Sequence, residues 1–241
     1  MKLQTFSGDI VNHFIDTNVI IGYIFVLDYL NQKSHSYLQF NNNNYFYSQN
    51  VKNEVEEVFK IKSRNYQEFF LRIIKFLNCF SDYDLIDEIN VHHKINSFDD
   101  KGKLKNKDMH LALKIIWDKL SFDSYHDAFE VKKAFDDLTN NFQSRHVYKK
   151  DALFNDLNLV PNHTMKDKKI LKLIKKENLR DNLLHGQDEN ILFDANEFCK
   201  NNKELNLKFA TADQDFLKAI NILESYLCIN EVINILEFSN S

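Results

Sequence analysis

The sequence predicts an α/β fold in which a central parallel sheet of about four or five strands is flanked by helices. Near both ends of the chain, short apolar runs alternate with helical patterns, which is typical of parallel sheets covered on both faces. The 241 residues include only 4 glycines and 1 proline. A β-sandwich or barrel needs many more tight turns, so this composition favours helices joined by short polar loops.

Two strand–helix units are predicted in the first sixty residues. Residues 13–16 (HFID) form an apolar run that ends in an acid, and the apolar stretch 19–30 follows the dipeptide TN. Asp, Thr and Asn are preferred capping residues, so a strand, a tight turn and a helix are expected in that order. Residues 45–48 (YFYS) predict a second strand, and valines at helical spacing within 51–60 predict the helix after it.

The middle of the chain differs from its two ends. From about residue 62 to residue 180 the apolar residues recur at helical spacing, the other faces are charged, and there is little strand signal. The strand–helix alternation then returns, with two helices and two strands predicted at residues 189–201, 216–223, 207–210 (LKFA) and 226–229 (YLCI). A helical middle segment between two α/β segments follows from this pattern.

Charge, cysteines and hydropathy restrict the class of protein. The net charge is −4, so contact with nucleic acid would need a local basic patch. Cys79, Cys199 and Cys228 are widely spaced, which fits neither a disulfide scaffold nor a zinc ribbon. The N-terminal residues have no apolar signal core, and the longest apolar run, 19–27, is shorter than the roughly 20 residues of a membrane span. We therefore expect a cytoplasmic protein without a membrane segment.

Acidic residues fall where the predicted strands end or where helices begin. Asp16 ends the first strand, Glu54 lies one turn into the second helix, and Asp188 opens the helix DENILFDA. Asp213 and Asp215 follow the strand LKFA. Because ligands bind beyond the carboxyl ends of parallel strands, these acids are expected to converge at one edge of the sheet.

Clustered carboxylates repel one another and need protons or a cation to persist. Mg²⁺ and Mn²⁺ accept carboxylates and waters as ligands, and a bound ion can activate water and neutralise charge on a phosphodiester. The neighbouring pair His92 and His93 lacks a third ligand at a recognisable spacing. Taken singly, each acid could serve only as a cap, a turn residue or a solvated side chain. It is the set in this order that predicts a metal site.

Four motifs, in this order, resemble those of PIN-domain nucleases. They are IDTNVIIG at 15–22, SQNVKNE at 48–54, DENILFDA at 188–195 and TADQDF at 211–216. The resemblance implies a PIN-like three-layer fold in a single domain, 1–241, with core segments of about 10–60 and 185–235. A mainly helical insertion, 61–184, would then separate the second and third motifs, which departs from the compact members of the family.

The resemblance also implies an activity and its residues. The activity would be that of a metal-dependent endoribonuclease that hydrolyses single-stranded RNA with Mg²⁺ or Mn²⁺. The catalytic, metal-binding acids would be Asp16, Glu54, Asp188 and Asp213, with Asp215 as an outer acid that supports the metal or orients water. Asn18 and Thr211 would hold the carboxylates by hydrogen bonds, and Thr17 is a third candidate for that role.

Two further acids, Glu189 and Asp194, lie close to the third motif position. Asp194 is six residues beyond Asp188, about 600° around a helix, and so is expected to face away from it. Spacing favours Asp188, because the apolar residues at +3, +4 and +7 then lie together on the side that faces the core.

Residues 166–180 (KDKKILKLIKKENLR) predict a basic amphipathic helix. Its candidate phosphate contacts are Lys168, Lys172, Lys175 and Lys176. A solvated surface helix explains the same lysines equally well. The expected partner is single-stranded RNA, or DNA. An unrestrained ribonuclease would harm a cell, so an inhibitory or activating protein partner, or a homodimer, is expected on biological grounds alone.

Three other functions use the same features. A structure-specific DNA nuclease would employ the same acids, and the sequence has no signature that separates RNA from DNA. A non-catalytic PIN-like nucleic-acid-binding module would keep the fold, although such a module should have lost acids that are all present here. A metal-dependent phosphatase of small substrates would not depend on the basic helix.

Overall fold

The computed structural model describes residues 11–39, 43–97, 106–118, 120 and 125–238. The α/β class with a central parallel sheet is confirmed, because five parallel strands form a sheet that is flanked by helices. In the described residues the strands are β1 Val11–Ile15, β2 Asn43–Ser48, β3 Leu85–Asp87, β4 Tyr125–Asp127, β5 Asn158–Val160, β6 Lys208–Thr211 and β7 Glu231–Asn234.

The helices of the described residues vary from one turn to eight turns in length. They are α1 Thr17–Ile24, α2 Asn31–Leu38, α3 Gln49–Leu77, α4 Glu88–Asn96, α5 Asn106–Trp117, α6 Ala128–Asp156, α7 Lys168–Lys176, α8 Leu179–Asn182, α9 Asp188–Asn201 and α10 Gln214–Leu223. Short 3₁₀ helices occupy Lys203–Leu205 and Glu224–Tyr226. None of the helices in the described segments is long and apolar enough to cross a membrane.

The central sheet has the strand order β5-β2-β1-β6-β7, and every pair in it is parallel. In the middle of the sheet, Phe14 of β1 is level with Phe46 of β2 and with Phe209 of β6. The Phe14 and Phe209 rings stack with centroids 5.8 Å apart. This register brings the carboxyl ends of β1, β2 and β6 to the same edge.

The first helix is shorter than the apolar stretch predicted. It was predicted to lie within residues 19–30, but α1 ends at Ile24. A turn follows, in which the Asp28 N–H donates to the Phe25 carbonyl at 2.9 Å. The Asp28 carboxylate then accepts a hydrogen bond from the Leu30 N–H at 2.8 Å. These bonds give the backbone N–H groups of the turn their partners, so a further helical turn is not needed. The spacing of apolar residues cannot reveal such a turn.

The two outermost strands of the central sheet also differ from the prediction. A strand was predicted at 226–229, but that segment begins in a 3₁₀ turn, and β7 follows at Glu231–Asn234. The strand β5 was not predicted at all, because three residues are too few to show a pattern. Both segments become strands through pairing, β7 with β6 and β5 with β2.

The chain divides into two compact units. Of the described residues, unit 1 contains 11–23, 32–56 and 152–238, and unit 2 contains 24–31 and 57–151. The predicted insertion, 61–184, therefore differs from unit 2 at its C-terminal end. The difference arises because β5 joins the central sheet and α7 contacts α10, both within unit 1.

Where it is described, unit 2 is mainly helical and contains the antiparallel pair of β3 and β4. Aromatic side chains of α3 fill its core, and Tyr66, Phe69 and Phe70 are all buried. These aromatic residues therefore belong to the core, the usual place for aromatics at helical spacing. Lys62 lies in the same unit, with its Nζ 2.7 Å from Asp28 and 3.1 Å from Asp108.

His13 of β1 is a buried titratable group in unit 1. Its Nδ1 lies 2.5 Å from the Tyr37 hydroxyl, and its Nε2 has no hydrogen-bond partner in the described residues. Burial is the first cause that lowers the pKa of His13 to about 4, and the charge of Lys208 adds to it. The unfolded chain, with a pKa near 6.5, binds more protons between pH 6.5 and 4, so stability falls as the pH drops through that range.

We expect the variant His13→Gln to lose less stability on acidification than the wild type. Between pH 7 and pH 5 the difference in the change of unfolding free energy should be about 1–2 kcal/mol. Urea unfolding at the two pH values measures it. A lower stability of the variant at pH 7 does not affect the comparison, because only the change of unfolding free energy between the two pH values is compared. Equal losses in both proteins would contradict a buried neutral His13.

Candidate functional site

The candidate site lies at the carboxyl edge of the central sheet, within unit 1. Asp16 follows β1 directly, and Thr211 is the last residue of β6. The remaining acids stand on helices that follow or face these strands: Glu54 in the second turn of α3, Asp188 at the start of α9, and Asp213 as the N-cap of α10.

Asp16 is the most enclosed acid of the site. Its residue exposure is 3%, and its Oδ2 accepts hydrogen bonds from Asn18 Nδ2 at 2.6 Å and from Thr211 Oγ1 at 2.7 Å. Its Oδ1 accepts from the Thr17 N–H at 2.7 Å. The Asn18 Oδ1 in turn accepts from the Ala212 N–H at 2.8 Å. These bonds join the turn after β1 to the turn after β6 and fix the Asp16 carboxylate.

Thr17 connects this network to α3. Its hydroxyl donates a 2.7 Å hydrogen bond to Glu54 Oε2, across 37 positions of sequence. Thr17 itself is buried, with an exposure of 7%. The Thr17 backbone N–H therefore binds Asp16 while its hydroxyl binds Glu54, so this one residue fixes the positions of the two acids relative to each other.

Mutual repulsion shows that four of the acids share one environment. Burial is the largest cause that raises the pKa of Asp16 to about 8, and the charges of Asp188 and Glu54 raise it further. The hydrogen bond from Thr211 acts in the opposite direction. Burial also raises the pKa of Asp188 to about 6. The backbone N–H of His185, 2.6 Å from Asp188 Oδ2, opposes that shift.

Asp213 and Asp215 have different surroundings. Asp213 repels Asp188 and caps α10, accepting from the N–H groups of Asp215 at 2.8 Å and Phe216 at 3.0 Å. The Asp215 carboxylate lies 2.8 Å from Lys218 Nζ on the solvent side of α10, and this hydrogen bond and charge lower its pKa. The structure thus brings Asp16, Glu54, Asp188 and Asp213 together and pairs Asp215 with a lysine.

The two candidate acids next to Asp188 on α9, Glu189 and Asp194, have partners away from the site. Glu189 binds Lys166 and Arg180. Asp194 is completely buried. It accepts hydrogen bonds from Asn50 Nδ2 at 2.8 Å and from the backbone N–H and Nδ1 of His163 at 2.7 and 2.6 Å. Both acids therefore have partners of their own, which leaves Asp188 as the α9 acid that interacts with Glu54 and Asp213.

A divalent cation fits the charge and chemistry of this site. Three donors point at Asp16 and favour its ionised form, whereas burial and the neighbouring acids disfavour that form. A hard cation supplies the missing positive charge, and carboxylate oxygens are its preferred ligands. In the described segments, no three His, Cys, Asp or Glu side chains are arranged so that they could hold a metal ion.

The predicted basic helix is present but shorter. It was predicted over 166–180, whereas α7 spans Lys168–Lys176, because Asn178 adopts a left-handed conformation (φ 50°) that ends the helical path. Ile170 and Ile174 are buried. The four candidate lysines, Lys168, Lys172, Lys175 and Lys176, are all exposed. The arrangement suits both a phosphate-binding surface and a solvated helix.

Sequence reasoning missed two features near the site. The hydrogen bond of Thr17 to Glu54 and the group formed by Lys166, Glu189 and Arg180 both join separate elements. The only local signal was the acid pair at the start of α9, one member of which was assigned to the site. No spacing rule predicts which basic residue an acid will meet across a loop.

Comparisons with protein-family models, with curated proteins and with solved structures find no match for this chain.

Proposed function

We propose that the protein is a metal-dependent endoribonuclease of the PIN-like type that hydrolyses single-stranded RNA. The observation that carries the proposal is the buried Asp16 carboxylate at the end of the central strand, fixed by Asn18 and Thr211. The acids of α3, α9 and α10 surround it closely enough to repel it or one another. Keeping several acids close together is costly unless a cation or protons offset their repulsion.

Each residue of the site has a separate task in this proposal. Asp16, Glu54, Asp188 and Asp213 would hold Mg²⁺ or Mn²⁺. Asn18 and Thr211 keep the Asp16 oxygens at fixed positions, and Thr17 does the same for Glu54. When bound, the ion supplies positive charge that stabilises the phosphodiester in the transition state and lowers the pKa of an attacking water.

The nature of the substrate follows from charge. The chain carries a net charge of −4, and the acids at the sheet edge would repel a polyanion. A nucleic acid therefore needs a local basic surface to approach, and the exposed lysines of α7 supply one in the same unit. A small phosphomonoester would gain much less from such a surface, so the lysines favour a nuclease over a phosphatase.

The test is a cleavage assay on labelled single-stranded RNA and DNA with Mn²⁺, compared with EDTA. We expect cleavage with Mn²⁺ only, and its loss in Asp213→Asn. Asparagine also caps helices well, so this variant keeps the start of α10 intact. Cleavage in EDTA, or full activity of Asp213→Asn, would reject the mechanism. Cleavage of DNA alone would assign a DNA nuclease, and hydrolysis of p-nitrophenyl phosphate alone would assign a phosphatase.

Replacing Lys168, Lys172, Lys175 and Lys176 with glutamine should weaken RNA binding and flatten its salt dependence. Each lysine that contacts a phosphate contributes about 0.7 to the slope of log K against log salt on a single strand. Anisotropy titrations at several salt concentrations measure the slope. The matched control replaces four exposed lysines of unit 2, Lys60, Lys75, Lys114 and Lys133. Equal slopes in the two variants would assign α7 to the solvated surface.

A further inference from the structure

A pocket of about 380 Å³ opens beside the start of α9. Its lining residues are Lys166, Arg180, Leu184, Gly186, Glu189 and Asn190. Two of them, Gly186 and Glu189, flank the candidate acid Asp188 in the sequence. The volume lies within the range of sites that bind small molecules and cofactors. This pocket has a cationic lining and so differs in charge from the acids next to it.

The two cationic side chains of the pocket pair with a single carboxylate. Glu189 accepts from Lys166 Nζ at 2.6 Å and from Arg180 through its Nε at 2.5 Å and an Nη at 3.0 Å. Two cations and one anion leave a net charge of +1. A guanidinium has five N–H donors, and Glu189 uses two of those of Arg180. The Arg180 side chain is 61% exposed, so its remaining face is open to a ligand.

Lys166 stands on a loop that is tied to α9 before and after it. His163 binds the buried Asp194, and the Thr164 N–H donates to Glu197 at 3.1 Å. After Lys166, the Asp167 carboxylate accepts from Lys200 at 2.7 Å. A loop fastened in this way holds its lysine in place before any ligand arrives. Little conformational entropy is then lost on binding.

Gly186 keeps one wall of the pocket open. It has a left-handed conformation (φ 52°), and a Cβ built there would have nothing within 4 Å. A side chain at this position would be strained, because the left-handed conformation favours glycine. A wall without a side chain lets a ligand approach the backbone closely.

We propose that this pocket binds a backbone phosphate of the single-stranded nucleic acid whose cleavage is proposed above. The inference rests on that proposed function for the identity of the polymer. Arginine matches two phosphate oxygens with its planar fork, and lysine adds a point charge. The volume exceeds that of a phosphate, which leaves room for part of the adjoining sugar. A contact of this kind positions the strand without reading its bases.

The test uses anisotropy titration of a labelled twelve-nucleotide oligouridine with the full chain in EDTA, where cleavage does not interfere. We expect Arg180→Gln and Lys166→Gln each to weaken binding at least fivefold. Arg180→Lys, which keeps the charge and loses the fork, should fall between wild type and Arg180→Gln. Lys203→Gln removes the same charge from an exposed 3₁₀ helix outside the pocket and should stay within twofold of wild type. Thermal melting checks that each variant is folded.

Further arms separate the outcomes. Millimolar inorganic phosphate should compete with RNA only weakly, because it lacks the rest of the strand. If phosphate alone binds as tightly as RNA, the pocket is a free-anion site and the proposal is overturned. The proposal would also be overturned if the pocket variants bound RNA as tightly as Lys203→Gln does. Specific loss of RNA binding supports the pocket whether or not Mn²⁺ produces cleavage. Absent cleavage with normal RNA binding contradicts the nuclease proposal only.

Discussion

Replacing Asp16 with asparagine is expected to lower Mn²⁺-dependent cleavage of single-stranded RNA by roughly 100- to 1,000-fold. Charge stabilisation through a bound ion is worth several kcal/mol, and each 1.36 kcal/mol is a factor of ten in rate. Asp16 is the acid that three donors hold in place, so its loss removes the proposed ligand with the most fixed position. Initial rates at saturating Mn²⁺ measure the effect.

The substitution also reverses a hydrogen bond. In the wild type, Oδ2 accepts from both Asn18 and Thr211. An asparagine whose Oδ1 still accepts from the Thr17 N–H would present its amide N–H groups to the donor of Asn18. The substitution would therefore disturb the turn as well as remove the charge.

Asn18→Ala is a useful second variant, because it keeps the Asp16 carboxylate and removes one of the hydrogen bonds that support it. A smaller loss of activity, about tenfold, is expected.

The matched control for this experiment is Asp156→Asn, an exposed acid at the end of α6 in unit 1. It makes the same change of charge away from the acids of the sheet edge and should leave the rate unchanged. If Asp16→Asn retained more than a third of the wild-type rate while folded, Asp16 would not be a metal ligand.

Replacing Asp194 with alanine is expected to cost about 3–5 kcal/mol of unfolding free energy. The Asp194 carboxylate is fully buried and accepts two hydrogen bonds from His163 and one from Asn50. Its removal leaves these donors without their acceptor, and buried unsatisfied donors carry the full cost of desolvation. Urea or thermal unfolding of metal-free protein, followed by circular dichroism, gives the value.

Glu197→Ala is the control on the same helix. Glu197 also accepts hydrogen bonds from the loop after β5, at Thr164, but it does so where water can replace the lost bonds. Its removal should cost about 1 kcal/mol or less. If the two variants lost equal stability, burial would not be the reason for the effect of Asp194. Because the same loop carries Lys166, Asp194→Ala should also weaken RNA binding when folded.

The predictability of the strands follows their burial. The strands β1, β2 and β6 contain several buried residues and read as apolar runs, so their positions were predicted to within a few residues. The edge strands β5 and β7 have three and four residues, and they are strands only because a neighbour offers its backbone. The end of α1 at Ile24 likewise depends on a turn that Asp28 stabilises.

The candidate site shows the same division. Local patterns placed Asp16 at the end of a strand and gave Asp194 a different face of α9 from Asp188, whereas Asn18 and Thr211 entered through the resemblance. The resemblance to PIN-domain nucleases implied an outer acid at Asp215, which pairs in the structure with Lys218, three residues along α10. The distance of Glu54 from the other acids could not be derived, because it depends on the bond from Thr17.

The sequence by itself determined the alternation of strands and helices, the acids at the carboxyl ends of β1 and β6, and the exposed lysines of α7, because neighbours along the chain decide each of these. Only the tertiary structure decided which distant residues meet. Asp16 contacts Thr211 across 195 positions since β1 and β6 pair in parallel, and Lys166 meets Arg180 through Glu189 since a loop is fastened to α9. Such contacts depend on strand order and loop anchoring, and no local pattern of residues encodes either.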